Sequence, residues 1–228
     1  MMTAPLVRFT CLTTMLIGCT PEQVTPTDFA SPGPLSHPSG AGSFRFGAAT
    51  AAAQIEEGNI HSDWWVWTAP APGGLGKGTP VGDAVQGWSK AVDDVTLVTD
   101  LNLDAYRFSV NWSRIEPQRD AINEDALAHY DKVLDALVDG GVRPMITIHH
   151  FSNPVWVDDP RRGSSCPDGP QDTDLCGWGH AEGADAIIEE LAELATLLGQ
   201  RYGDRVDEWA TINEPVNYIL ASYGIGFF

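Results

Sequence analysis

The stretch from residue 123 to residue 150, NEDALAHYDKVLDALVDGGVRPMITIHH, contains the pattern that decides the fold. Its first part carries apolar residues at helical spacing, from Leu127 to Val138, and Asn123 can cap this helix. Gly140 and Gly141 end the helix, and a short apolar strand then leads into two histidines. A helix followed by a buried strand with polar residues at its end is typical of a parallel α/β sheet.

The same alternation continues on both sides of this unit. We predict strands over residues 44–50, 105–110, 142–149 and 205–212, and helices over residues 88–101, 123–140 and 184–202. The inner faces of the first and last of these helices are predicted to hold Val92, Val95, Val98, Leu101, Ile187, Ile188, Leu191, Leu194, Ala195 and Leu198. Strands that alternate with helices predict either an open doubly wound sheet or part of a (β/α)8 barrel.

Polar, chemically useful residues lie near the C-terminal end of every predicted strand, and this favours the barrel. In chain order they are Gln54, then Arg107 with Asn111 and Trp112, then His149 and His150, and finally Asn213 and Glu214. Barrel enzymes build their active sites at the C-terminal ends of the strands. No G-x-G-x-x-G sequence follows the first strand, so a dinucleotide-binding fold is not supported.

The composition restricts the class of ligand. The 228 residues carry a formal charge of -18, which argues against nucleic acid as a partner and against electrostatic docking on anionic lipid. A neutral ligand suits this surface better, although acidic residues also serve solubility. Eight tryptophans are present, and indole rings often stack on sugars, although packing in a core is their commoner role.

The N-terminal region reads as an export signal and a tether. Residues 1–19 contain a short apolar run and end in LIGC, which resembles the lipobox of bacterial lipoproteins, with Cys19 as the lipidated residue. An ordinary cleaved signal and a cytosolic protein with an irregular start are the alternatives. Residues 20–43 are rich in Pro, Ser and Thr and are predicted to be a solvated tether. The sequence therefore predicts an exported protein, anchored to a bacterial membrane only through lipid on its periplasmic or cell-surface face.

Export makes a disulfide between Cys166 and Cys176 possible. The two residues lie ten apart in a loop rich in Gly, Pro and Asp, and the exported compartment is oxidising. A zinc site is the weaker alternative, because no histidine lies at ligand spacing beside them.

Glu214 is the strongest candidate for chemistry. A glutamic acid at a strand end that faces an apolar, Trp-lined mouth stays protonated near neutral pH and can give its proton to a leaving oxygen. Pro215 stiffens the turn, and Asn213 offers both a donor and an acceptor to a sugar hydroxyl. By themselves, these three residues fit equally well a strand that ends in a turn.

Other polar residues have both structural and functional interpretations. Arg107 lies within an apolar strand, where a buried guanidinium needs a carboxylate partner. A salt bridge that ties two barrel strands together is the structural interpretation of this residue. Adjacent strand residues face opposite ways, so one of His149 and His150 is structural, and His150 suits a substrate hydroxyl better. Asp63 is interpreted as a surface-loop acid, and at least one of two acids, Glu56 and Glu57, as solvated.

Five stretches together resemble glycoside hydrolase family 1, which comprises retaining β-glycosidases and includes the β-glucosidases. In chain order they are FRFGAATAAAQIE (44–56), SDWWVW (62–67), YRFSVNWSRIEP (106–117), HHFSNPVW (149–156) and NEP (213–215). They follow the family's order and spacing from about residue 44 to the end of the sequence. Five stretches in register are far more specific than NEP by itself.

The resemblance implies a (β/α)8 barrel, of which residues 44–228 would be the N-terminal half, about four βα units. It implies hydrolysis of terminal β-glycosidic bonds by retaining double displacement, with Glu214 as the general acid/base. Arg107 would orient the nucleophilic carboxylate, and sugar-binding or pocket-wall roles would fall to Gln54, His150, Asn213 and Trp112. The substrate would be a β-glucoside or a related β-glycoside. No metal or organic cofactor is implied, because the chemistry needs only two carboxyls and water.

The sequence departs from the family pattern in three places. Phe151 stands where the family often has Trp, and Ser152 follows it. In addition, no Thr/Ser-Glu-Asn-Gly-type segment, which carries the family's nucleophile, occurs in the sequence. We therefore expect these residues to hold only the acid half of the site and to be inactive by themselves. The alternative is a non-catalytic protein, either a surface-tethered sugar-binding protein or a relic. Pairing of two copies would not supply the nucleophile.

Overall fold

The structure is a computed structural model that describes residues 45–162 and 166–226. The predicted signal with Cys19, the predicted tether and Phe44 lie outside the described residues. Within the described ranges, no helix combines the length and the apolar character needed to cross a bilayer.

Four strands alternate with helices. The elements are β1 (Gly47–Ala49), α1 (Ala52–Ile55), α2 (Asp63–Thr68), α3 (Ala91–Asp100), β2 (Ala105–Ser109), α4 (Trp112–Ile115), α5 (Glu124–Asp139), β3 (Arg143–His149), α6 (Ala181–Tyr202), β4 (Glu208–Ile212), α7 (Pro215–Ile219) and a π-helical segment (Leu220–Gly224).

The four strands form one parallel sheet in the order β1-β2-β3-β4. Arg107 on β2 is in register with Met145 on β3, which in turn is in register with Glu208 on β4. In a doubly wound sheet the strand order reverses at a switch point, whereas here each new strand adds to the same edge. The strand order therefore supports the barrel over the doubly wound alternative, with four of its eight strands described.

One face of the sheet packs against the helices. Tyr106 and Phe108 on β2 and Ile146 and Ile148 on β3 are buried in a core that α3, α5 and α6 complete. The opposite face carries Arg107 and the residues in register with it. Because strand residues alternate between faces, the apolar helix-facing side and the polar side are both fixed by the register.

An ion pair crosses the polar face. The Arg45 Nη2 atom lies 2.6 Å from the Glu208 Oε1 atom, so the pair connects the chain just before β1 to β4 over two intervening strands. Neighbouring strands are about 4.8 Å apart, so β1 and β4 would be about 14 Å apart in a flat sheet. Such a contact is favoured when the sheet curves toward its polar face, as it does in a barrel.

The helix α5 forms where the sequence predicts it. The Asn123 Oδ1 atom accepts hydrogen bonds from the backbone amides of Asp125 and Ala126, which confirms the predicted cap. Gly141 adopts a left-handed conformation with φ 71°, which a residue without a β-carbon does at little cost. Leu127, Leu134 and Leu137 are fully buried on the inner face, as predicted.

Four residues predicted to face inward are exposed instead: Val92, Leu101, Val138 and Ile188. Successive helix residues are rotated by about 100°, so Val138 and Ile188 turn away from the core that their preceding neighbours enter. Leu101 lies just beyond the end of α3. The predicted inner faces were therefore too wide.

Element ends differ from the predictions by a few residues. The helix α3 begins at Ala91 rather than at residue 88, and α6 begins three residues early because His180 caps it by accepting from the Gly183 amide. The strands β1 and β4 are shorter than predicted. Cys166 and Cys176 form a disulfide with their Cα atoms 5.8 Å apart, in the loop between β3 and α6.

The orientation of α5 leads to a stability prediction. Replacing Leu137, which is fully buried, by Ala leaves a cavity and should reduce the free energy of unfolding by about 2–5 kcal/mol. The matched control is Val138→Ala, one residue further on the exposed side, which should change it by less than about 0.5 kcal/mol. Urea unfolding of both variants measures the difference, and equal losses would contradict this orientation.

Candidate active site

The C-terminal ends of the parallel strands meet along one edge of the sheet, which we call the rim: Arg107 on β2, Thr147 on β3 and Asn213 after β4. The Arg107 Nε atom donates to Thr147 Oγ1 at 2.7 Å, and its Nη2 atom donates to Asn213 Oδ1 at 2.5 Å. A guanidinium has only donors, so the Asn213 oxygen must face it. The Asn213 amide nitrogen therefore remains a donor for a ligand at the rim.

Arg107 does not form the salt bridge between strands that was its structural interpretation. In residues 45–162 and 166–226 no carboxylate lies within ion-pair distance of its guanidinium, as expected if its partner is the nucleophile that the sequence lacks. Hydroxyl and amide oxygens bind the guanidinium instead. The positive charge is half-buried on the polar face of the sheet, where it favours the ionised form of any carboxylate that approaches.

Glu214 stands in a strained turn at the end of β4. Its φ of 45° and ψ of 55° lie in the left-handed region, and Pro215 follows as the first residue of α7. This conformation costs about 1–2 kcal/mol for a residue with a β-carbon and persists only where its surroundings hold it. The Glu214 Oε2 atom accepts a hydrogen bond from Asn217 Nδ2 at 3.1 Å.

The predicted Trp-lined, partly desolvated surroundings of Glu214 are not seen in the described residues. Its side chain is exposed. The physical reason is that β4 is the last strand of the described sheet, so no neighbouring strand covers the turn that follows it.

His150 lies close enough to Arg107 and Glu214 for both charges to act on its imidazole ring. Burial and the Arg107 guanidinium lower the pKa of His150, and the Glu214 carboxylate acts in the opposite direction. The ring is therefore neutral near neutral pH and offers one donor and one acceptor, which suits a sugar hydroxyl. Its Nδ1 atom has no hydrogen-bond partner among the described residues.

His149 takes the structural role that strand alternation predicted for one histidine of the pair. It is 1% exposed, and burial lowers its pKa to about 4. Its Nε2 atom lies 3.0 Å from the Asn153 Oδ1 atom.

The two remaining predicted sugar contacts have different outcomes. Gln54 is exposed on α1, just after β1, and the parallel topology places it at the same rim as Asn213. Trp112 does not line a pocket, because it is 2% exposed and packs edge-on against Trp156 with 5.4 Å between ring centroids. Its indole nitrogen donates to Glu116 Oε2 at 2.9 Å, so this side chain belongs to the core.

Sequence reasoning placed Asp63 on the surface, whereas the structure buries it beside the rim. Burial raises the pKa of Asp63 to about 7, although its carboxylate accepts from the Trp64 amide at 2.6 Å and from Asn153 Nδ2 at 2.9 Å. Asp63 and Asn153 lie in two of the family-like stretches. Nothing in the spacing of these stretches indicated that the two side chains meet.

Glu56 is also buried. It pairs with Arg114 at 2.7 Å and accepts from the Tyr130 hydroxyl at 3.0 Å. Glu57 instead lies nearer the surface, where it binds the backbone amides of Trp88 and Ser89. This arrangement ties the segment that follows α1 to α4 and α5.

Residues 45–162 and 166–226 contain one acidic group compact enough to suggest a metal site, formed by Glu116, Asp120 and Glu190. Protein donors already occupy oxygens of its two buried members, Glu116 and Glu190. Glu116 accepts from the Trp112 indole and the Asp120 backbone amide, and Glu190 pairs with Arg119 at 2.5 Å. Contacts within the protein therefore account for the two buried carboxylates of this group.

A cavity of about 890 Å³ lies beside the loops that follow β1, β2 and β3. Its lining includes Trp65, Arg119 and Trp156 but none of the residues predicted to bind sugar or to act in catalysis. The chemistry assembled at the rim therefore lies outside this cavity.

Comparison with known proteins supports one family. The sequence profile of Glycosyl hydrolase family 1 matches residues 39–228. Beta-glucosidase 25 of Oryza sativa subsp. japonica is 34% identical over 188 residues, which cover 80% of this chain and 34% of that protein. Coniferin beta-glucosidase of Pinus contorta is 34% identical over 81% of this chain and 34% of its own length. The chain thus spans about a third of the length of these relatives.

Solved structures give the same answer for the fold. A beta-glycosidase from Pyrococcus horikoshii matches with a TM-score of 0.63 and 32% identity, over 81% of this chain and 38% of its own. A psychrophilic beta-glucosidase from Micrococcus antarcticus matches with a TM-score of 0.63 and 30% identity, over 79% of this chain and 35% of its own. Together with the rim geometry and the family profile, these matches show that the chain belongs to glycosyl hydrolase family 1.

Proposed function

We propose that the protein to which this chain belongs hydrolyses terminal β-glycosidic bonds, with β-glucosides as substrates, by a retaining double displacement. The observation that carries this proposal is the position of Glu214, held in a left-handed turn beside His150 and next to the Asn213 amide that Arg107 orients. The names of the relatives, beta-glucosidases and a beta-glycosidase, support the substrate class.

In the proposed reaction the rim residues bind the sugar and Glu214 moves the proton. The free amide nitrogen of Asn213 donates to a sugar hydroxyl, and neutral His150 and exposed Gln54 bind further hydroxyls. Glu214 gives its proton to the leaving oxygen as the glycosidic bond breaks. As this bond breaks, a second carboxylate attacks the anomeric carbon and forms a glycosyl-enzyme. Glu214 then takes a proton from a water molecule, whose oxygen attacks the anomeric carbon, breaks its bond to the carboxylate and releases the sugar.

The second carboxylate is proposed to come from a part of the barrel outside the described residues. Retaining enzymes place the two carboxyls about 5–5.5 Å apart. Arg107 supports such a partner, because its half-buried positive charge would keep the nucleophile ionised. It follows that residues 1–228 by themselves should be inactive, since without a nucleophile no glycosyl-enzyme forms.

We also propose that the protein is a lipoprotein attached to the membrane through Cys19. The LIGC stretch after an apolar run supports this proposal. Two acyl chains bind stably where one binds only marginally.

Replacement of Glu214 by Gln in the full-length protein should remove the acid catalyst. For a β-glucoside with a poor leaving group, such as an alkyl glucoside, kcat/KM should fall by about 10²–10⁴-fold. The matched control is Glu208→Gln, which changes a carboxyl at the opposite end of β4. Steady-state hydrolysis measures both, and an equal loss in the two variants would contradict the assignment.

Replacement of Arg107 by Gln should change the pH profile. Without the guanidinium, the pKa of the neighbouring nucleophile rises. Activity that needs the ionised nucleophile is lost as the pH falls through this pKa, so the acidic limb of kcat/KM should move to higher pH. Arg45→Gln, which removes a guanidinium from the other end of the same face, is the control. An unmoved acidic limb in the Arg107 variant would count against the pairing.

Replacement of Cys19 by Ala should release the protein from the membrane fraction, because no acyl chain can then be attached. Cys11→Ala, a change within the same signal, should leave the protein on the membrane. Fractionation with metabolic labelling by a radioactive fatty acid gives the readout. Retention of both label and membrane association by the Cys19 variant would refute the proposed anchor.

A further inference from the structure

The side-chain amide of Asn153 connects three separate parts of the rim. Its Nδ2 atom donates to Asp63 Oδ2 at 2.9 Å and to the Tyr218 hydroxyl at 2.8 Å. Its Oδ1 atom accepts from Trp178 Nε1 at 3.1 Å and lies 3.0 Å from His149 Nε2. Asn153 itself is fully buried. The amide therefore uses every hydrogen-bonding position it has, away from solvent.

The direction of each bond follows from its partners. An indole nitrogen only donates, so Trp178 must face the Asn153 oxygen and Asp63 must face the nitrogen. His149 then carries its proton on Nε2, since the same oxygen receives it. The amide has one orientation that satisfies all four neighbours, and a flipped amide would set donors against donors.

Tyr218 links this network to Glu214. It is the buried residue of α7, and its backbone amide donates to the Glu214 carbonyl at 2.9 Å. A helix of five residues is too short to be stable in isolation, so packing must hold it in place. The strained turn at Glu214 is thus fixed from β4 on one side and from Tyr218 on the other.

A second contact holds the chain further along. In the π-helical segment after α7, the Tyr223 hydroxyl donates to Asp158 Oδ2 at 2.7 Å and accepts from the Trp178 amide at 3.0 Å. The loop after β3 therefore anchors both α7 and the segment that follows it. Loss of the Asn153 link should loosen the Glu214 turn without releasing the whole segment.

We propose that Asn153 and Asp63 are positioning residues, which act through Tyr218 to hold Glu214 where it protonates the leaving oxygen. The inference rests on the proposed function of Glu214. Neither residue reaches the substrate in this role. Asp63 fixes the amide of Asn153, and that amide fixes the hydroxyl of Tyr218. A displacement of about 1 Å at a catalytic group can cost about a hundredfold in rate. Loss of these buried hydrogen bonds should therefore have a measurable effect on the rate of hydrolysis.

An exchange of the two side chains tests the link in the full-length protein. In Asp63→Asn, one amide must face two donors, the Trp64 amide and Asn153 Nδ2, and satisfies only one of them. In Asn153→Asp, two carboxyls face each other. The double variant D63N/N153D restores a donor opposite an acceptor, and the Tyr218 hydroxyl can turn its proton toward the new carboxylate.

Two substrates separate positioning from general damage. An alkyl glucoside needs protonation of its leaving oxygen, whereas a dinitrophenyl glucoside has a leaving group stable enough to depart without it. Each single variant should lower kcat/KM for the alkyl glucoside by about 10–100-fold and for the dinitrophenyl glucoside by less than about threefold. The ratio of kcat/KM for the alkyl glucoside to kcat/KM for the dinitrophenyl glucoside should therefore fall in each single variant. The double variant should restore most of this ratio, because the interaction is pairwise.

Ser113→Ala is the matched control. Ser113 is equally buried, and its hydroxyl oxygen lies 2.9 Å from Asn59 Oδ1 and 2.7 Å from Asn111 Oδ1, in a network that does not include α7. It should lower stability without changing the ratio of the two substrates. The proposal is overturned if both substrates slow equally in the single variants, if the exchange fails to recover the ratio, or if Ser113→Ala shifts it as far.

Amide hydrogen exchange over residues 214–224 gives a readout that does not depend on activity. Exchange there should become faster in each single variant, return in the double variant and stay unchanged in Ser113→Ala. If the parent enzyme hydrolyses neither glucoside but exchange changes as expected in the variants, the proposed function fails. The connection from Asn153 through Tyr218 to the Glu214 turn is then still supported. Unchanged exchange in both single variants would overturn the link itself.

Discussion

The bonds from Arg107 to Thr147 and Asn213 hold the rim together. They join β2, β3 and the end of β4, and they act across strands that the parallel register has already aligned. Because a guanidinium is planar and only donates, it fixes both the spacing of the strand ends and the orientation of the Asn213 amide. A lysine would supply the charge but not this geometry.

The turn at Glu214 depends on these bonds at the strand ends. A left-handed glutamate is unfavourable by itself, so the chain on each side must compensate. Upstream, the backbone amide of Asn213 donates to the His149 carbonyl oxygen at 2.9 Å, and the side-chain oxygen of Asn213 accepts from Arg107. Downstream, Tyr218 is held by Asn153. The acid is thus positioned by contacts that lie within the described residues, even though its own side chain is exposed.

Local signals in the sequence predicted the elements well. The helix α5 has its cap, its apolar face and its terminal glycines within 19 consecutive residues, and its bounds agree with prediction to within one residue at each end. The long-range contacts were not predictable in this way. Asp63 and Asn153 are 90 residues apart, and no periodicity relates them. Trp112 was misjudged for the same reason, since only the packed fold shows that Trp156 and Glu116 enclose it.

The two halves of the proposed chemistry differ in how they depend on the rest of the barrel. The proposed proton donor needs both a proton and a fixed position, and residues of β2, β3 and the adjacent loops supply the position through hydrogen bonds and one guanidinium. The nucleophile needs ionisation as well as position, and ionisation depends on charge. In the described part of the chain, Arg107 has no carboxylate to neutralise it, and burial makes an unbalanced charge costly. The acid that we propose is thus positioned by contacts among the described residues, whereas the Arg107 charge is proposed to be balanced by a carboxylate from elsewhere in the barrel.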